Sequence, residues 1–212
     1  MTTLNLQVNA SANDATENDA FDTDTTGTQQ DNLDTVDFWN GWRWTGASAL
    51  AGATINTATC QFKISSSTTD EPQITFSVQA LDNAPAFSAG AGNANISSRT
   101  RSGAVNWDNA NLGVGASPEF KTSPSVVGLL NSSYLTSGVI VFVATTTSGN
   151  SARDFLCNTY DNAAADGAKL DVDYTVASIT AGEIALLIHN TANAASAGAQ
   201  IATHHGHGIV GY

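Results

Sequence analysis

Residues that could do chemistry fall in three places in this chain. The stretch from Ser11 to Asp37 holds Asp14, Glu17, Asp19, Asp22, Asp24, Asp31, Asp34 and Asp37, with no base among them. Within it, Asp22-Thr-Asp24-Thr-Thr-Gly27 matches the first half of a calcium loop, with oxygen ligands at alternate positions and then a turn glycine. The bidentate acid of such a loop is absent, because Leu33 occupies its place; Asp31 could complete an irregular site. A structural calcium ion on Asp22, Asp24 and Asp31 is therefore one expectation, and a solvated acidic loop is the simpler one. Near the C-terminus, His204, His205 and His207 form a tract whose neutral imidazoles would suit zinc or nickel. Adjacent histidines in a strand point opposite ways, so three chains meeting on an axis would be needed to build a ring; a tail docked on a partner is the simpler reading. Trp39, Trp107 and Tyr160, if exposed, could stack on sugar rings as a glycan-binding surface.

Support for catalysis is lacking. The chain has no nucleophile elbow, HExxH, phosphate-cradling glycine loop or paired-cysteine motif. Glu17, Glu71, Glu119 and Glu183 lie in no acid/base context, although a glycosidase needs only two carboxylates brought together by the fold. The expectation is a non-enzyme.

Composition narrows the partners. Nineteen acids against seven bases give a net charge of −12 over 212 residues, which repels phosphate backbones and anionic lipid alike. Neither nucleic acid nor membrane is expected as a partner. The most apolar runs, 139–144 and 184–188, are strand-sized. MTTLNLQVNA lacks a basic segment followed by an apolar one, so no secretory signal is expected. Cys60 and Cys157 sit at apolar positions and read as two buried thiols, with a disulfide between strands as the alternative.

The elements that must position these residues read as strands. The most informative stretch is 36–64: Val36, Phe38, Trp42 and Trp44 share one parity, and Trp39, Gly41 and Arg43 take the other. Ala58, Cys60, Phe62 and Ile64 alternate with polar neighbours in a second strand. Trp42, Trp44, Cys60 and Phe62 are thus expected in the core, and Arg43 as a structural charge paired with an acid. Further alternation appears at 4–10, 73–80, 105–107, 153–160 and 168–176, while 138–144 is apolar throughout, as in a strand buried on both faces. Residues 11–37 read as a long surface loop region that could hold short irregular strands, 81–95 as a Gly/Ala/Asn loop, and Ser123-Pro124 as the cap and first turn of a brief helix. The sum is an all-β, antiparallel β-sandwich or jelly roll of about eight strands over 1–177, with a C-terminal extension, 178–212, for docking or oligomerisation.

The run RWTGASALAGATINTATCQFKI (43–64) resembles the R-F…G-A-T-I…A-x-L signature of DNRLRE-type jelly-roll domains, which are also classed among carbohydrate-binding modules. Segments 76–88, 96–108, 122–130, 137–144 and 168–174 follow in the family's order, so the resemblance spans most of 4–176. The helix after Ser123 is shortened, and the tail beyond Ala177 lies outside the usual domain. What the resemblance implies is a module of bacterial surface proteins or of phage virions. The leading expectation is a non-enzymatic virion structural protein of a tailed phage, decorating or cementing the capsid or forming part of a head or tail fibre. It would be a homotrimer, with the major capsid protein among its partners. The alternative is a glycan-binding adhesion module, extracellular or on a cell surface.

Overall fold

Period-two alternation in the sequence becomes two antiparallel sheets packed face to face as a sandwich. The computed structural model describes residues 1–30, 38–64, 74–107, 119–130, 134–146 and 156–177. One sheet has four strands in the order β1 (Thr2–Gln7), β12 (Lys169–Thr175), β6 (Thr54–Lys63) and β9 (Phe120–Thr122). The other has six: β3 (Thr23–Asp24), β2 (Asp14–Glu17), β5 (Trp39–Thr45), β10 (Val139–Thr146), β7 (Ile74–Gln79) and β8 (Arg101–Trp107). A ribbon of β4 (Gln29–Gln30) and β11 (Cys157–Asn158) stands beside them. From β5 to β10 the chain passes repeatedly from one sheet to the other, which gives the jelly-roll character.

The apolar parities meet between the sheets. Trp42 and Trp44 of β5, Phe62 and Cys60 of β6, Phe76 of β7 and Phe142 of β10 are each at most 1 % exposed. Trp42 lies 4.6 Å from Phe62, centroid to centroid, and Phe62 stacks on Phe76 at 5.6 Å. The Trp44 indole N–H donates to the Ala168 carbonyl at 2.9 Å, so its polar handle is satisfied inside the core. Cys60 and Cys157 are buried thiols not joined in a disulfide, and burial pushes both well above the usual range.

A second apolar layer lies on the opposite face of the six-stranded sheet. Residues 81–99 are irregular but not superficial: Ala84, Phe87 and Ile96 are buried against Ala15, Val139, Val141 and Val143, with Trp39 at the margin. This cover explains why residues 139–144 of β10 are apolar throughout, since both faces are occupied there. Arg99 rivets the cover. Its guanidinium donates to Gln79 Oε1 at 2.8 Å and to the carbonyls of Pro85 and Ala86, and lies 4.2 Å over the Phe87 ring. Burial, and then the charge of Arg43, lower its pKa to about 10, so it stays cationic at neutral pH.

Two expectations change. Asp14–Glu17, read as part of an acidic surface loop, is a buried strand paired with β5, in register Asp14↔Trp42 to Glu17↔Trp39. Glu17 is buried because its carboxylate accepts the backbone N–H groups of Ile96 and Ser97. The helix after Ser123 is only a 3₁₀ turn, Val127–Leu129. The Ser123 hydroxyl accepts the Cys60 N–H at 2.9 Å instead of capping a helix, and thereby serves the sheet. By contacts the chain divides into Met1–Val176 and Ala177–Tyr212.

Candidate functional site

The turn after β2 is built by Asn18. Its side-chain oxygen accepts the N–H groups of Ala20 at 3.0 Å and Asp22 at 2.9 Å, and its carbonyl accepts that of Phe21 at 2.9 Å. This arrangement holds Phe21 at φ +61°, a left-handed conformation that bulky side chains rarely adopt. Phe21 is 45 % exposed, and its ring stacks on Trp39 at 6.0 Å and 22°. Trp39 rests in turn on the outer apolar layer. The pair is a supported aromatic face open to solvent, and Phe21 carried no sign of it in a sequence without alternation.

Beside the same turn lies a pocket of about 370 Å³ lined by Asp14, Asn18, Asp19, Asp22, Asp24 and Phe38, among others, with no base in its lining. Asp22 Oδ1 accepts the Gly92 N–H at 2.7 Å, and Asp24 Oδ1 accepts the N–H and hydroxyl of Thr26 at 2.7 and 3.0 Å. These carboxylates cap backbone. Among the described residues no three carboxylate, thiol or imidazole side chains converge as a metal requires. Asp22 and Asp24 by themselves supply two of the carboxylates expected for a calcium loop. Asp31, His204, His205 and His207 lie outside the described residues.

The three aromatics expected for glycan contact separate. Trp107 is fully buried, 5.9 Å from Phe76 in the main core, and offers no face to a ligand. Its position at the end of β8 has core parity, so it belongs with Trp42 and Trp44. Tyr160 is half-buried against the main core. Trp39, joined by Phe21, keeps part of an accessible aromatic surface supported by a second ring, and Tyr160 keeps a part without such a neighbour among the ring pairs described. Arg43 is half-buried and donates to the Ala84 carbonyl and to Asn13 Oδ1, both at 2.9 Å. Its partners among the described residues are neutral oxygens, where an acid was expected.

Two acids are placed unusually. Asp14 is 2 % exposed; its Oδ2 accepts the Tyr160 N–H at 2.8 Å, and its Oδ1 is buried without a partner. Asp161 Oδ1 accepts the Ser11 hydroxyl at 2.7 Å, and its Oδ2 is likewise buried and unpartnered. Burial above all, and then the charge of Asp161, raise Asp14 to about 7 despite the Tyr160 hydrogen bond. Because Asp14 Oδ1 has no access to solvent, it is sealed from the acidic pocket that its residue lines.

The outer face of the four-stranded sheet is polar and satisfied within itself. Asp173 accepts the hydroxyls of Thr3 and Thr57 at 2.6 and 3.0 Å, Gln61 donates to Asp171 at 2.5 Å, and the Lys169 ammonium lies 3.8 Å over the Phe120 ring. No helix among the described residues is long and apolar enough to cross a membrane.

No family model and no curated protein sequence matches the chain.

Proposed function

We propose that this chain is a non-enzymatic structural protein of a tailed-phage virion: a jelly-roll module that decorates or cements the capsid, or contributes to a head or tail fibre, as a homotrimer. The observation that carries the reading is the division of the chain. Met1–Val176 makes up one contact unit, the sandwich, whose interior is filled by interlocked aromatics and leaves residues 177–212 as a separate unit. That segment, rich in alanine and glycine, suits close packing along another subunit. Hydrogen-bonded buried groups such as Glu17 and Arg99 tie the irregular segment 81–99 to the sheet, which suits a structural spacer. The resemblance to DNRLRE-type domains supports the same class.

Mass spectrometry of purified particles tests the proposal. The protein is expected in stoichiometric amounts alongside the major capsid protein. Full-length chain should run as a trimer by light scattering, and chain ending at Val176 should remain folded but fail to join particles. Absence from virions, or undiminished attachment of the truncated chain, overturns the reading.

A second reading, a glycan-binding adhesion module, is favoured by one specific observation: the Phe21–Trp39 face, held open by a strained turn. Glycan-array binding that Trp39→Ala abolishes would favour it, and an array without signal would remove it.

A further inference from the structure

We infer that Asp14 and Asp161 form a proton-operated latch that holds the Thr159–Asp161 turn against the start of β2. The clasp is reciprocal. Asp14 accepts from the Tyr160 backbone, and Asp161 accepts from Ser11, three residues before Asp14. The same turn is bound to the strand-poor segment beyond β3: the Thr159 N–H donates to the Thr28 carbonyl at 3.2 Å and its hydroxyl to the Gly27 carbonyl at 2.6 Å. Each carboxylate thus has one oxygen serving the clasp and one buried oxygen with nothing to accept. Two such oxygens in one buried neighbourhood are tolerable when a proton neutralises one acid, and costly when both are ionised.

Nothing described around the pair supplies the missing positive charge. From β11 comes the buried Cys157 thiol, which the charge of Asp14 helps to keep protonated. From the turn itself come Tyr160 and Asp161; from β2, Glu17, whose carboxylate is committed to Ile96 and Ser97. Asp19, Asp22 and Asp24 line the adjacent pocket. Trp42 is the β5 partner of Asp14, and the nearest cation on that strand, Arg43, spends its donors on Asn13 and Ala84. Among the described residues the neighbourhood is acidic or neutral.

The sign follows from proton counting. A carboxyl free in solvent ionises near pH 4, whereas Asp14 in the closed latch holds its proton to about pH 7. The closed state therefore binds more protons than the open one between those values, and raising the pH through that window favours opening. Asp14 and Thr159 both line the acidic pocket, so release of the turn would loosen one of its walls.

Hydrogen exchange of the Tyr160 amide in the full chain tests this, with rates corrected for the intrinsic pH dependence. Opening is expected to rise by up to about tenfold per pH unit between pH 5 and 7 and to level off above. Asp14→Asn keeps an acceptor for the Tyr160 N–H but cannot ionise, and should flatten the profile. Asp161→Asn should move the midpoint to lower pH while leaving the slope. A flat wild-type profile, or an unchanged slope in Asp14→Asn, overturns the latch. Should Asp14→Asn fail to fold, the carboxyl carbon resonance of Asp14 in the wild-type chain decides: a midpoint near 4 overturns it and one near 7 sustains it.

Discussion

The outer apolar layer makes Gly41 the most exacting position in the sheet. A Cβ built there would lie 2.4 Å from Phe87 Cζ and 2.7 Å from Cε1, where carbon atoms favour about 3.5–4.0 Å. Gly41→Ala therefore requires the ring to withdraw by roughly 1 Å, the difference between those two distances. It has nowhere to go, being 3 % exposed and capped at 4.2 Å by the Arg99 guanidinium, which is itself bonded to the carbonyls of Pro85 and Ala86. Overpacking of this kind costs about 1–3 kcal/mol. Against it stands the gain of about 0.5–1 kcal/mol when alanine replaces glycine inside a strand. The net expectation is a loss of up to about 2.5 kcal/mol, the upper end of the difference of those two ranges. Urea unfolding followed by tryptophan fluorescence measures it. The sign is diagnostic, because without the Phe87 contact the substitution would stabilise. In a Phe87→Ala background, itself costing about 3–5 kcal/mol, Gly41→Ala should become neutral or stabilising. The packing argument is refuted if Gly41→Ala is stabilising alone, or if it costs the same in both backgrounds.

Two further predictions concern the aromatics and the acid limb. Trp107→Ala removes a side chain packed against both Phe62 and Phe76 and should cost about 3–5 kcal/mol in the same unfolding assay; Trp39→Ala, at the margin of the outer layer, should cost less than half of that. Asp82 accepts the hydroxyl and N–H of Ser137 and the hydroxyl of Thr136, and these donors hold its pKa down at about 2. Its contribution to stability is thus present above pH 4, where the unfolded carboxyl is also ionised, and is lost as pH falls through 2. Asp82→Asn should flatten the pH dependence of Tm between pH 2 and 4, and a curve parallel to wild type would contradict that assignment.

Much of the main core was legible because strand parity is local. Trp42, Trp44, Cys60 and Phe62 stand on alternate positions, and two-residue alternation with one wet face needs nothing beyond neighbouring residues to be read. Asp14–Glu17 escaped because two of its three buried residues are acids, which look solvated until Tyr160, Ile96 and Ser97 supply their donors from far along the chain. Phe87 and Ile96 escaped because they lie in irregular backbone, where apolar residues have no period to betray them.

The candidate site shows the same division. The sequence by itself determined that acids crowd 11–37, that strands alternate, and that Trp39 takes the parity opposite to Trp42 and Trp44. Only the tertiary structure decided that Trp107 is interior, that Phe21 joins Trp39, and that Asp14 meets Asp161 across 147 positions of chain (161 minus 14). Parity is set by geometry within one strand, whereas exposure, charge pairing and hydrogen-bond satisfaction depend on what the rest of the fold lays against that strand.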